Sequence, residues 1–115
     1  MLRTTRELVY AAVGNPATVV AVKSRVLPLS DYLPKGHVLL RFLASPINPS
    51  DINQVQGVYA VKPVWREDVD GTAVGGNEGV AEIVKVGEDV KSVQPGDWVL
   101  PAIAAFGKRL PFLLY

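Results

Sequence analysis

The 115-residue sequence contains no cysteine and only one histidine. Without thiols, the chain can form no disulfide bond and has no cysteine nucleophile and no cysteine ligand for zinc. The histidine, His37, follows Lys35 and Gly36 in a predicted turn, and the sequence offers it no cluster of partner ligands. We therefore predict that the chain binds no metal ion.

Excess charge and long apolar runs are missing as well. The 12 basic and 11 acidic residues leave a net charge of +1, which creates no broad field to attract a nucleic acid or an anionic membrane. No apolar run approaches the roughly 20 residues that a membrane-spanning helix needs. We predict neither a nucleic-acid partner nor a membrane span.

Hydrophobic residues are plentiful at 49% of the sequence, which is enough to form a buried core. Short runs rich in valine, isoleucine, leucine and tyrosine alternate with glycine and proline at intervals of about ten residues, a spacing typical of strands in a barrel or sandwich. The predicted strands are Glu7–Val13, Thr18–Leu27, His37–Ser45, Gly79–Gly87 and one more after the Pro95–Gly96 turn. The third has apolar residues on both faces except at Arg41, which predicts a central, buried strand.

The pattern predicts one short helix, from Asn48 to Gln56. Asn48 or Ser50 can cap its first amides, Pro49 suits its first turn, and Asp51 complements its dipole. Gly57 ends it, and Tyr59 follows two residues later.

Polar residues from 63 to 76 predict a surface loop, whereas the last residues of the chain are apolar. The sequence ends on Leu113, Leu114 and Tyr115, and an exposed apolar tail of this kind needs a surface to cover it. A homodimer contact or an apolar partner would provide one.

Four stretches together resemble the GroES-like catalytic domain of medium-chain dehydrogenases and reductases. They are "LVYAAVGNP" at 8–16, "INPSDINQVQGVY" at 47–59, "VGGNEGVAEIVKVG" at 74–87 and "VQPGDWVLPA" at 93–102, in the order of the family. The resemblance implies a mainly β fold: a GroES-like, partly open barrel with one short helix. It divides the chain into an N-terminal extension (1–7), an incomplete GroES-like catalytic domain (8–102) and a divergent apolar tail (103–115).

Within the superfamily, the sequence resembles the mitochondrial trans-2-enoyl thioester reductases most. Members that bind zinc carry cysteine and a Gly-His-Glu sequence where this chain has Gly76-Asn77-Glu78, so the resemblance implies no zinc. Quinone reductases share the Asn-Pro-x-Asp element and are the nearest alternative. The combination of "DINQVQGVY" with "GNEGV" favours the enoyl reductases.

The same resemblance implies that Tyr59 is the proton donor of the reaction. Enoyl reduction delivers a hydride to the β carbon and a proton to the α carbon, and a phenol, with an ordinary pKa of about 10, holds its proton at neutral pH. Judged from spacing alone, Tyr59 is a packing residue beside a turn. Asn48, Asp51 and Asn53 could orient it or touch cofactor, although such residues beside proline commonly cap turns. Glu78 could orient neighbouring groups.

A dinucleotide site is not predicted in this chain. Gly75, Gly76 and Gly79 lack the Gly-x-Gly-x-x-Gly spacing and the strand and long helix around it, so we expect them to allow close backbone packing. Family members bind NADPH in a Rossmann domain, which we expect these 115 residues to lack. After Phe106-Gly107 the family has a Thr-Trp element, whereas this chain has Lys108-Arg109.

The resemblance therefore implies a fragment of an NADPH-dependent reductase acting on trans-2-enoyl-CoA or enoyl-carrier-protein in fatty acid synthesis, inactive alone. It implies a mitochondrial location, with the cytoplasm as the alternative. Two other functions stay open: a noncatalytic interaction module that buries its apolar tail on a partner, and a fragment of a zinc-independent quinone oxidoreductase.

Overall fold

The computed structural model describes residues 2–28, 32–102 and 112–114. In these ranges the chain forms β1 (Leu2–Tyr10), α1 (Pro16–Val19), β2 (Val20–Pro28), β3 (Val38–Ala44), α2 (Pro49–Val55), β4 (Ala73–Val74), β5 (Val80–Val86), β6 (Trp98–Val99) and β7 (Phe112–Leu114). The prediction of a mainly β chain is confirmed, and α2 is the predicted helix. Neither helix in the described ranges is long and apolar enough to cross a membrane.

The strands form two sheets, with the orders β2-β1-β4 and β6-β5-β3-β7. Among the described residues neither sheet closes into a barrel. The chain divides into two compact units. The helical unit consists of Arg6–Arg25 and Ile47–Gly76, and the sheet unit consists of the described parts of Met1–Thr5, Val26–Pro46 and Asn77–Tyr115.

The core of the sheet unit lies on one face of the antiparallel pair β3 and β5. Leu40 stands opposite Ile83 in the register, and Ala81 and Ile83 are both buried because alternate side chains of a strand point to the same face. β3 is central, as predicted, between β5 and β7. Its second half, from Arg41 to Ala44, is exposed, so the predicted burial of both faces holds only for its first three residues.

The two edges of this sheet come from the last part of the chain. At the predicted Pro95–Gly96 turn, the amide of Asp97 donates to the carbonyl of Gln94 at 3.1 Å, and β6 follows. β7 pairs in parallel with β3 at the opposite edge. Three residues of the predicted apolar tail thus lie in a sheet, whereas residues 103–111 and 115 lie outside the described part.

The helical unit has a core of its own. Tyr10, Val55 and Ala73 are buried together, and Val19 and Val20 pack against them. β1 brings Tyr10 beside Ala73 by pairing with β4. The sequence pattern placed β4 inside a loop, because a two-residue strand has no period of its own and depends on a partner far away in the chain.

Element boundaries near the N-terminus differ from the prediction. β1 begins at Leu2 rather than at Glu7 and ends at Tyr10. Pro16, the last residue of the predicted turn, begins α1, and this helix also takes in Thr18 and Val19, the predicted start of the second strand. The side chain of Asn15 caps this helix by accepting a hydrogen bond from the amide of Ala17 at 3.0 Å.

Most of the predicted polar loop from 63 to 76 is indeed loop, and Arg66 holds it in place. The Arg66 guanidinium donates to Glu7 at 3.1 Å and to the Thr72 hydroxyl at 2.9 Å, and its side chain is only 17% exposed. The amide of Arg66 also donates to the Thr72 carbonyl at 2.9 Å. A surface loop is thereby fixed to β1 by a partly buried ion pair.

Thr72 also lowers the pKa of Asp70. The Thr72 hydroxyl donates to the Asp70 carboxylate at 2.6 Å and its amide donates at 3.0 Å, and the positive charges of Arg66 and Lys23 add to the effect. These bonds favour the charged form of the carboxyl group.

We expect the substitution Asp70→Asn to remove a pH-dependent part of the stability. Because the pKa of Asp70 is lower in the folded chain than its ordinary value of 3.8, the carboxylate stabilises the fold above that value. The contribution is lost as the pH falls through the folded pKa. In urea unfolding, the variant should be less stable than the parent at about pH 6, and the gap should close toward about pH 3.

Asp68→Asn, which removes an exposed carboxylate of the same loop, is the matched control, and at about pH 6 it should destabilise the chain less than Asp70→Asn does. An Asp70→Asn gap that stays constant across the titration contradicts the assignment.

Candidate functional site

The residues before Tyr59 form α2, whose first turn is built as the sequence predicted. Asn48 has extended backbone angles, and its amide donates to the Asp51 carboxylate at 2.8 Å. Pro49 occupies the first turn, where its missing amide costs nothing. Both Asn48 and Asp51 therefore take part in starting the helix, which supports the capping interpretation over a direct role beside Tyr59.

The end of α2 turns the chain back on itself. Gly57 adopts φ +82°, in the left-handed region that favours glycine, and its amide donates to the Gln54 carbonyl at 3.0 Å. The next two amides, of Val58 and Tyr59, both donate to the carbonyl of Asn53, at 3.0 and 3.2 Å. The backbone of Tyr59 is thus tied to the helix six residues earlier.

The helix itself is anchored to the segment after β1. The amide of Gly14 donates to the Val55 carbonyl at 3.0 Å, and Val55 is buried in the core of the helical unit. A Cβ atom at Gly57 would lie about 3.2 Å from atoms of Val13, so this segment also packs closely against the turn. Tyr59 therefore follows a turn that is held from two sides.

The helical unit contains a second tyrosine with very different surroundings. Tyr10 is 1% exposed, and its ring packs edge-on against Trp65 with centroids 5.7 Å apart. Burial raises the pKa of its hydroxyl group, which has no hydrogen-bond partner among the described residues. Tyr59 is partly exposed. Of these two tyrosines, Tyr59 is the more accessible to solvent.

One amide side chain in this segment was missed by the sequence reasoning. Gln54 is 1% exposed, and its side-chain nitrogen donates to the Val61 carbonyl at 2.9 Å, on the far side of Tyr59. Gln56, two positions further along, is exposed. On a helix, two residues separated by two positions face nearly opposite directions. Helical phase could have predicted that only one of the two glutamines is buried.

Of the three glycines between β4 and β5, Gly75 and Gly79 pack closely, as predicted, whereas Gly76 has open space around it and adopts φ +95° instead. A Cβ atom at Gly75 would lie 2.5 Å from the Leu8 side chain, and one at Gly79 would lie 2.7 Å from the Phe42 ring. A strand follows them rather than a helix, so they form no phosphate-binding turn. This segment therefore lacks the turn that holds the phosphates of a dinucleotide. Glu78, in the same segment, is exposed.

The ring of His37 faces its own turn. Its Nδ1 lies 2.8 Å from the carbonyl oxygen of Lys35. Across residues 2–28, 32–102 and 112–114, no group of three or more histidine, aspartate or glutamate side chains is arranged to hold a metal ion.

Known proteins with similar sequences and structures are mitochondrial reductases. The chain is 47% identical over 102 residues to the mitochondrial enoyl-[acyl-carrier-protein] reductase of Bos taurus, a match that covers 89% of this chain and 25% of the relative. A structure of Etr1p in complex with NADP and crotonyl-CoA superimposes with a TM-score of 0.82 at 39% identity. The mitochondrial 2-enoyl thioester reductase Etr1p/Etr2p heterodimer from Candida tropicalis superimposes with a TM-score of 0.83 at 40% identity. Each structural match covers 92% of this chain and 30% of the longer one.

Similarity to quinone reductases is weaker. A protein from Bacillus thuringiensis described as an NADPH:quinone reductase matches 86% of this chain and 27% of its own, at 29% identity and a TM-score of 0.64. Both values are lower than those for the enoyl reductases. The sequence motifs also favour the enoyl reductases over the quinone reductases, in agreement with these identities and TM-scores.

The two tyrosines of the helical unit should react at different rates with tetranitromethane, which nitrates accessible phenolates. We expect nitration of Tyr59 and of the 63% exposed Tyr32, and little of Tyr10, because burial both shields Tyr10 and raises its pKa. Peptide mapping by mass spectrometry measures each rate, with Tyr59→Phe as the control for assignment. Nitration of Tyr10 as fast as that of Tyr32, or of Tyr59 as slow as that of Tyr10, contradicts the placement.

A match to a known domain family covers the residues around α2 and Tyr59 and identifies the family of the chain. Residues 34–109, more than half of the chain, match the alcohol dehydrogenase GroES-like domain, a range that includes α2, Tyr59 and β3 to β6. The bovine relative is about four times longer than the matched part, since the chain spans 25% of it. The chain therefore belongs to the GroES-like domain family of the medium-chain dehydrogenases and reductases.

Proposed function

We propose that the chain is the proton-donating part of an NADPH-dependent trans-2-enoyl thioester reductase and that Tyr59 is its proton donor. The observation that carries the proposal is the placement of Tyr59. The residue is partly exposed, and its amide is hydrogen-bonded to the Asn53 carbonyl near the end of α2. A proton donor needs both properties, because it must reach the substrate and must hold one orientation.

In the proposed reaction, the Tyr59 hydroxyl gives its proton to the α carbon of the enoyl thioester. NADPH, when bound by the longer protein, supplies the hydride for the β carbon. The glycines between β4 and β5 lead into a strand and form no phosphate-binding turn, which supports assigning cofactor binding to another part of the longer protein and the acid to this chain. We infer from this division that the chain alone has no useful turnover.

The substrate class and the location are proposed from the relatives. The crotonyl-CoA bound to Etr1p is a short trans-2-enoyl thioester, and the bovine relative is named for an acyl carrier protein substrate and for the mitochondrion. We therefore propose a trans-2-enoyl-CoA or enoyl-carrier-protein substrate and a role in mitochondrial fatty acid synthesis. The heterodimer from Candida tropicalis supports pairing of the longer protein with a second reductase chain.

Activity should depend on the rest of a reductase and on Tyr59. We expect no oxidation of NADPH by the purified chain with crotonyl-CoA. A hybrid reductase, in which residues 8–102 replace the matching segment of the Candida tropicalis enzyme, should be active. Tyr59→Phe in the hybrid should lower kcat by about 10² to 10⁴-fold, the usual contribution of a general acid.

Tyr32→Phe, which removes an exposed hydroxyl elsewhere, is the control and should leave kcat unchanged. Turnover by the isolated chain would refute its proposed dependence on the longer protein. A hybrid that keeps full activity without the Tyr59 hydroxyl would refute the proton-donor role.

A second candidate function, a noncatalytic interaction module, is favoured by a cavity in the sheet unit. The cavity has a volume of about 720 Å³, and buried core residues such as Leu40, Ala81 and Ile83 line it. Beside it, Leu100 is 75% exposed. A cavity of this size with apolar residues in its wall fits an apolar side chain or segment of a partner.

Under this second function the purified chain should bind 8-anilinonaphthalene-1-sulfonate and increase its fluorescence. Ala81→Leu, which fills part of the cavity, should reduce the signal, whereas Ala44→Leu at an exposed position of β3 should not. Sedimentation as a single monomer without dye binding contradicts the interaction module and leaves the reductase proposal untouched.

A further inference from the structure

Gln54 is a polar residue at a fully buried position of α2. It is 1% exposed and ranks with Tyr10 and Val9 among the largest fully buried side chains of the described residues. A buried amide costs free energy unless its hydrogen bonds are made, whereas an apolar side chain would pack there without that requirement. The hydrogen bond that Gln54 makes therefore indicates the structural role of an amide at this buried position.

The side-chain nitrogen of Gln54 donates to the Val61 carbonyl at 2.9 Å. The two residues are seven positions apart, and the backbone between them leaves the helix, turns at Gly57 and passes through Tyr59. Gln54 thus closes this segment from inside the protein.

Three other hydrogen bonds hold the same segment. The amides of Val58 and Tyr59 donate to the Asn53 carbonyl, and the Lys62 ammonium group donates to the Gly57 carbonyl at 3.0 Å from an exposed position. Tyr59 is therefore held by the hydrogen bond of its own amide to Asn53 and, two residues later, by the hydrogen bond from Gln54 to the Val61 carbonyl. Among these four hydrogen bonds, the Gln54 bond is the one donated by a fully buried side chain.

We propose that Gln54 is a positioning residue for Tyr59: its amide fixes the carbonyl of Val61 and thereby holds the segment 57–61 in the conformation that presents the Tyr59 hydroxyl. The part of this inference that concerns catalysis rests on the proposed function of Tyr59. The part that concerns the backbone rests on the contacts alone.

Amide hydrogen exchange in the 115-residue chain tests the backbone part. Gln54→Met keeps the length of the side chain and removes the donor, and it should speed exchange of the Val58 and Tyr59 amides about tenfold, the effect of losing one hydrogen bond from a local opening equilibrium. Gln56→Met, the same change at an exposed position of the same turn, should leave both rates unchanged. Equal exchange in the parent and Gln54→Met overturns the proposal.

Gln54→Glu, which has the same shape, keeps the test valid if the methionine variant does not fold. A neutral carboxyl group can donate to the Val61 carbonyl and an ionised one cannot. Relative to the parent at each pH, exchange at Tyr59 should be fast at high pH and return to the parental rate at low pH. A ratio that does not change with pH overturns the proposal.

The hybrid reductase tests the catalytic part. Gln54→Met should lower kcat about tenfold with KM for crotonyl-CoA unchanged, because a misplaced acid affects the chemical step and not binding. Faster exchange without a change in kcat overturns the positioning role. Full activity of Tyr59→Phe in the same hybrid would instead refute the proposed function, and the exchange result would still decide whether Gln54 holds the segment.

Discussion

The candidate site depends on the hydrogen bonds made by the Asn53 carbonyl, which accepts one from the amide of Val58 and one from the amide of Tyr59. A helix leaves its last carbonyls without intrahelical partners, and here one of them binds the chain as it returns. The return requires the left-handed conformation of Gly57. Tyr59 is thus held in place by α2, by the turn at Gly57 and by the Asn53 carbonyl. Without them it would lie in an unconstrained loop.

Such a short helix is not stable by itself in water, so the position of Tyr59 depends on what α2 packs against. Val55 is buried with Tyr10 and Ala73, and β1 and β4 bring those two residues side by side. Arg66 joins β1 to the loop before β4 through Glu7 and Thr72. The same unit therefore buries one tyrosine as part of its core and leaves the other partly exposed.

The division of labour in the proposed reaction follows from local geometry. A proton donor needs one side chain on a fixed backbone, which seven helical residues and a turn can provide. A dinucleotide needs a strand, a glycine turn and the N-terminus of a longer helix, and the glycines between β4 and β5 lead into a strand. The proposed function accordingly assigns the acid to this chain and cofactor binding to another part of a longer protein.

Local sequence signals predicted α2, β5 and the Pro95–Gly96 turn well. Caps, a terminating glycine and strict alternation act over a few neighbouring residues and leave a readable pattern. By themselves the residues also excluded thiol chemistry, and the motif around Tyr59 named the candidate acid. The failures were β4, the early start of β1, the exposed half of β3 and the burial of Gln54. Each depends on a partner distant in the chain or on which face of an element is covered.

The sequence by itself thus determined which chemical groups the chain has. Only the tertiary structure decided which of the two tyrosines is accessible and which of the two glutamines is buried, because burial is a property of the packed chain and not of any single segment.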